Sequence, residues 1–256
     1  MALAGVEAAD EPAVDRARDL AKRLGVPFLQ EPPASKEGVK LRVGASGLAL
    51  AFVDGSRGKP FVLDFLTNSW RMRLKTPPVR SHIFRRALGV REEPLNIFDA
   101  TAGFGQDALQ ALSLGCRVTA VERHPVVAML LEDAIERARS EEDSWRPLFE
   151  RLTLMVGESA EILAGLSGEA APDVVYIDPM FDKPKKTAKS PKEMQLLQEL
   201  LGPPPSMAEH EKLLAVAWAK VRQRLVIKCP LKARALRPSP THSFKGQSIR
   251  YDVYVK

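Results

Sequence analysis

The sequence is poor in the residues that staple or metallate small proteins. It has two cysteines, Cys116 and Cys229, far apart and in no metal-binding spacing. A structural disulfide needs an oxidising compartment, so the pair reads as two reduced, buried thiols. The four histidines, His82, His124, His210 and His242, form no ligand spacing either, and no metal is expected. Long apolar runs are missing, which excludes a membrane-spanning helix. The first residues carry Glu7, Asp10, Glu11 and Asp15 rather than the basic and then apolar pattern of a signal peptide. No internal repeat is visible. These absences together leave a cytoplasmic protein with no membrane partner as the expectation.

What is present suits a folded enzyme-sized chain. Hydrophobic residues make up 45% and charged residues 27% of 256 positions, so a sizeable core can form. The 38 basic residues against 32 acidic ones give a formal charge of +6 and a pI near 9.4. That balance permits a polyanionic partner without demonstrating one.

Two regions differ in pattern. The first dozen residues look loose. Val14, Ala17, Leu20, Ala21 and Leu24 then recur at helical spacing, and Gly25 stops the run. After a polar, proline-rich link, Val39–Val43, Leu48–Val53 and Phe61–Phe65 read as an antiparallel meander. Residues 1–75 are therefore expected to form a small α+β subdomain, and 76–256 the main domain. A basic stretch at the junction includes Arg71, Arg73, Lys75, Arg80, Arg85 and Arg86. Arg71 and Arg73 are candidates for nucleic-acid contact, against the alternative of a solvated face.

From residue 95, strands and helices alternate, which signals a parallel sheet. Strands are expected at Leu95–Asp99, Arg117–Glu122, Leu152–Val156, Asp173–Ile177 and Leu225–Cys229. Ile249–Val255 alternates cleanly and should close the sheet as an antiparallel strand. The expected fold is thus α/β and Rossmann-like: a mostly parallel seven-stranded sheet with an antiparallel C-terminal strand.

Open parallel sheets bind ligands beyond the carboxyl ends of their strands. Here those ends carry Asp99, Glu122, Glu158-Ser159 and Asp178. The first opens a glycine turn, Asp99-Ala-Thr-Ala-Gly-Phe-Gly-Gln-Asp-Ala108, in which Gly103 and Gly105 let the chain turn tightly near a ligand. Gln106 and Asp107 start the following helix, where an acid is also favoured by the helix dipole alone. Glu122 lies 19 residues past Gly103, close to the spacing at which an acid meets ribose hydroxyls. The run Gly103-x-Gly105-x-x-Ala108 also matches a dinucleotide fingerprint, so an NAD-dependent dehydrogenase competes. The acid Asp99 argues instead for a cationic ligand, such as S-adenosylmethionine.

Asp178-Pro-Met-Phe181 separates the two readings. It resembles the Asp/Asn-Pro-Pro-aromatic signature of methyltransferases acting on exocyclic amines. A base's amino group is a poor nucleophile because its lone pair is delocalised into the ring. Acceptors on its two N–H bonds, the Asp178 carboxylate and a carbonyl of the Asp178–Pro179 turn, would aim the lone pair at a methyl carbon. Asp178 can also receive the proton the amine loses, and Phe181 offers a face for the base. The competing reading is a capping turn with a core phenylalanine. Lys183, Lys185, Lys186 and Lys189 follow in a lysine-dense loop suited to phosphates, or simply solvated.

These residues, with Gly115-Cys-Arg-Val118, Val121-Glu-Arg-His-Pro-Val-Val-Ala128, Lys192-Glu-Met194, Leu201-Gly-Pro203 and Lys245-Gly246 to Tyr254, resemble the ribosomal RNA small subunit methyltransferase J family. The resemblance covers about residues 60 to 255. It implies a class I methyltransferase that uses S-adenosyl-L-methionine on a guanine N2 of 16S ribosomal RNA, with that RNA or the small ribosomal subunit as partner. It further implies that Gln106-Asp107, Glu122-Arg123, Glu158-Ser159 and Asp178 line the donor site. Two departures stand out: Gln106 replaces a basic residue, and Glu158-Ser159 replace two small polar ones. DNA adenine or transfer RNA guanine remain alternative amine substrates.

Overall fold

The computed structural model describes residues 3–31, 37–55, 58–141, 145–179, 192–202 and 205–256. Its strands are β1 (Leu3–Ala8), β2 (Val39–Gly44), β3 (Gly47–Phe52), β4 (Phe61–Val62), β5 (Asn96–Asp99), β6 (Arg117–Glu122), β7 (Leu152–Val156), β8 (Val174–Ile177), β9 (Arg224–Pro230), β10 (His242–Lys245) and β11 (Ile249–Val255). Its helices are α1 (Val14–Leu24), α2 (Asn68–Lys75), α3 (Ile83–Leu88), α4 (Gln106–Ser113), α5 (Pro125–Ser140), α6 (Arg146–Phe149), α7 (Ser159–Gly165), α8 (Lys192–Leu201) and α9 (Met207–Lys220).

The chain forms two compact units, and neither is continuous in sequence. One holds the described residues of Met1–Asp64, His124–Arg137 and Asp182–Pro204; the other holds those of Phe65–Arg123, Ala138–Phe181 and Pro205–Lys256. Residue 75, where the composition shifts, lies inside the Phe65–Arg123 segment of the second unit.

The first unit is a four-stranded sheet in the order β1-β2-β3-β4. Its β1 corrects the expectation of a loose start: Leu3–Ala8 pairs in parallel with β2, Leu3 opposite Val39. Only that distant partner makes Leu-Ala-Gly-Val-Glu-Ala a strand, since its own alternation is weak. In β2 the alternation is true, with Val39, Leu41 and Val43 fully buried. Asp133 of α5 accepts hydrogen bonds from the Leu48 N–H (3.1 Å) and from Arg16 (2.9 Å) and Arg137 (3.0 Å). Gly47 stands against this cluster at φ +102°, where any Cβ would strike the Asp133 carboxylate.

The second unit is a seven-stranded sheet in the order β10-β11-β9-β8-β5-β6-β7. The five strands from β9 to β7 are parallel, and β11 runs antiparallel to β9, as the sequence predicts. The antiparallel edge strand β10 was not read, because its residues are mostly exposed and show no buried face. Leu163 of α7 and Leu214 and Ala217 of α9 pack with Phe98, Val121, Val175, Ile177, Leu225 and Ile227 of the sheet. Each such large side chain contributes about 1.5–3 kcal/mol by leaving water. Phe84 of α3 meets the rings of Tyr176 and Tyr251, both at 5.7 Å. Because β5 lies beside β6 on one edge and β8 on the other, the chain order reverses there. Such a reversal is where open α/β sheets take their ligands.

Candidate active site

Two short bridges of hydrogen bonds shape the ends of β5, β6 and β8. Gly103 and Gly105 adopt left-handed φ values of +52° and +73°, and Gly105 is the residue preceding α4. A Cβ on Gly103 would meet nothing closer than 3.9 Å, so its backbone conformation demands glycine while leaving room for a ligand. The Gly103 N–H donates to Glu122 Oε2 at 2.9 Å, which joins the turn to the end of β6. On the other side, the Asp178 N–H donates to Thr101 Oγ1 at 2.7 Å, and the Thr101 N–H donates to Asp99 Oδ1 at 3.1 Å.

Between these bridges lies a cluster of charge. Lys228 of β9 donates from Nζ to Asp107 Oδ2 and to Asp178 Oδ2, each at 2.8 Å. Tyr176 Oη donates to the same Asp107 Oδ2 at 2.7 Å. Among the described residues, neither Asp107 Oδ1 nor Asp178 Oδ1 meets a donor. Sheet register explains the meeting: Ile177 pairs with Ile227, which sets Asp178 beside Lys228.

Burial dominates the titration of the cluster. It pushes the Asp99 carboxyl up to about 8, helped by repulsion from Asp107, so Asp99 is neutral at pH 7 in the free protein. Asp178 is also raised by burial, to about 6, with Asp107 adding to the rise and Lys228 opposing it. Its side chain is still 37% exposed, which tempers that shift. Burial works against the Lys228 ammonium, but Asp107 and Asp178 outweigh it and raise its pKa.

The remaining expected residues that the structure describes lie in the second unit. Gln106 is exposed at the start of α4. Arg123 reaches Glu209 at 3.1 Å and Glu158 at 3.8 Å, so the Glu122-Arg123 and Glu158-Ser159 pairs do come together. Glu158 precedes α7 without a side-chain capping bond. The buried Ser159 hydroxyl donates to the Ala100 carbonyl at 2.6 Å and so anchors the end of β5 rather than capping α7. Pro179 is buried. Arg71 is engaged by its own protein: it donates to the Leu66 carbonyl (2.8 Å) and to Glu141 (2.6 Å). Arg73 lies over the Trp70 ring at 5.1 Å and is exposed. Phe181, Lys183, Lys185, Lys186 and Lys189 lie outside the described residues.

Sequence reasoning missed Lys228, Tyr176 and Thr101. The available signal for Lys228 was a lone cation inside the apolar run Leu225-Val-Ile-Lys-Cys229; a buried lysine is rarely without a partner.

Residues 20–256 match the family model for SAM-dependent methyltransferases. Two relatives named ribosomal RNA small subunit methyltransferase J align along nearly the whole chain. One, from Pseudomonas aeruginosa, is 37% identical over 98% of this chain and 94% of its own length. The other, from Chromobacterium violaceum, is 39% identical over 96% and 94%. The chain belongs to that methyltransferase family. Its methyl donor is S-adenosylmethionine, which decides between the donor and dinucleotide readings of the glycine turn. A crystal structure of a SAM-dependent methyltransferase from Neisseria gonorrhoeae has the same fold, with a TM-score of 0.73 and 27% identity over 97% of this chain and 95% of that one. The family likeness extends well before residue 60, where the motifs alone placed its start. Among the described residues no helix is long and apolar enough to cross a membrane, and no three His, Cys, Asp or Glu side chains group as a metal site.

Proposed function

We propose that this enzyme methylates the exocyclic N2 amine of a guanine in 16S ribosomal RNA of the small ribosomal subunit. One observation carries the reading: Asp178 stands at the sheet's reversal point with one carboxylate oxygen held by Lys228 and the other without a donor among the described residues. An amine needs such an acceptor to aim its lone pair.

The chain's residues fit a cationic donor. Two carboxylates, Asp107 and Asp178, face a single ammonium, so the cluster keeps a net negative charge, and the Gly103 turn leaves space beside it. Glu122 would hold ribose hydroxyls, Asp107 and Asp99 the methionine amino end, and Arg123, Glu158 and Ser159 the adenine side. Bound there, the donor supplies a methyl group on a cationic sulfur. Asp178 and the Pro179 turn accept the two amine N–H bonds, and the Asp178 carboxylate takes the proton lost as nitrogen is alkylated. Phe181 provides the stacking face. Arg73 and the lysines Lys183, Lys185, Lys186 and Lys189 contact RNA phosphates, Arg71 being already paired. With ribosomal RNA as substrate, the enzyme acts in the cytoplasm.

The test uses labelled donor with purified small subunits, naked 16S ribosomal RNA, transfer RNA and DNA in parallel. Label recovered as N2-methylguanosine from 16S RNA supports the reading. Label confined to adenine, transfer RNA or protein overturns it.

A further inference from the structure

Lys228 is the one cation among the described residues that touches both Asp107 and Asp178. It comes from the middle of β9, in a strand whose neighbours Leu225, Val226 and Ile227 are completely buried. Its two hydrogen bonds are both 2.8 Å, within the range of charge-assisted pairs. Asp107 is in turn fixed by Tyr176, whose ring packs against Phe84. The result is a chain of contacts from the aromatic layer under the sheet to the carboxylate at the end of β8.

We infer that Lys228 is a positioning residue for methyl transfer: its ammonium holds Asp178 ionised and keeps one of that residue's oxygens engaged, leaving the other for the substrate amine. This rests on the proposed role of Asp178. Among the described residues, the titratable groups that surround Asp178 are Asp99 at the end of β5, Asp107 on α4, Tyr176 on β8, Lys228 on β9 and Tyr251 on β11. The two tyrosines stay neutral, since burial raises both, and Asp107 repels a second negative charge. Among the described residues Lys228 alone favours the carboxylate form, and with it Asp178 titrates at about 6. Without it, burial and Asp107 act on Asp178 unopposed by any described cation and raise its pKa further. A protonated carboxyl cannot take the proton that leaves the nitrogen as the new N–C bond forms.

The discriminating measurement follows Asp178 directly. Carbon-13 carboxyl resonances of labelled aspartates, with Asp178 assigned by its loss in Asp178→Asn, are titrated in the wild-type enzyme, Lys228→Met and Lys228→Arg. The midpoint for Asp178 is expected to rise by about one unit or more in Lys228→Met, and to return toward the wild-type value in Lys228→Arg. Lys228→Gln gives the same reading should the methionine variant fail to fold. In transfer assays on small subunits, the acid limb of kcat/KM moves by the same amount, a loss of about tenfold per unit at a fixed pH below it. An unmoved Asp178 midpoint overturns the role of Lys228 even where the enzyme methylates guanine. A moved midpoint in an enzyme that methylates some other group supports Lys228 and removes the guanine assignment instead.

Discussion

The backbone N–H of Gly103 donates to the Glu122 carboxylate at 2.9 Å. A residue read as a ribose ligand therefore also holds the glycine turn in place. Replacing it separates the two duties. Glu122→Gln keeps an acceptor for Gly103 and removes the charge that strengthens bonds to hydroxyls, worth about 1.5–3 kcal/mol. Affinity for S-adenosylhomocysteine is expected to fall about 10- to 100-fold, with the melting temperature nearly unchanged. Glu122→Ala should lower both. Calorimetric titration with parallel melting curves measures the pair, and undiminished affinity in Glu122→Gln would exclude the ribose role.

Asp178→Ala should abolish methyl transfer while S-adenosylhomocysteine still binds at least in part. In the proposed mechanism the carboxylate must be ionised to take the amine proton, and it titrates at about 6. The rate is accordingly expected to rise with pH through about 6 and level off above it. A kcat/KM profile from pH 5 to 9 checks this; a flat acid side contradicts the assignment.

Asp99 yields a stability prediction. Its folded carboxyl titrates at about 8 against an ordinary 3.8, so between those values the folded protein holds a proton that the unfolded chain releases. The stability this contributes is complete below about 4 and is lost as pH rises through about 8. Asp99→Asn keeps an acceptor for the Thr101 N–H and has no proton to lose. Its melting temperature should gain on the wild type from about pH 4 to pH 8 and level off above that in donor-free protein. Two parallel curves would show that Asp99 is not perturbed.

The pair Arg250 and Asp252 on β11 is almost wholly buried. Arg250 donates from Nε and Nη2 to Asp252 and from Nη1 to the carbonyls of Pro230 and Leu231. Asp252→Ala strands the guanidinium and should cost about 3–5 kcal/mol in urea denaturation. Arg250→Met with Asp252→Leu should cost much less, because nothing charged is left behind.

How far these features were legible depends on whether a residue's partner lies nearby in sequence. The strands of the parallel sheet could be read because Val118, Val175 or Val226 need only their own run of apolar neighbours. Asp99, Glu122 and Asp178 were visible because each ends such a run. Lys228 was not, since its significance arises only when β9 is laid beside β8 in one register, and no local spacing states which strands are neighbours. The same holds for β1, whose pairing with β2 turns a weak pattern into a strand. The ion pair of Arg71 was hidden for the same reason, its Glu141 partner lying 70 residues away.

Three separate places supply the Asp107, Asp178 and Lys228 contacts: α4, the residue just past β8, and β9. A slip of one residue between β8 and β9 would turn Lys228 to the opposite face of the sheet and break both of its bonds at once. On the roles proposed for Asp178 and Lys228, such a slip would also end methyl transfer, so that catalytic competence and faithful folding are inherited together.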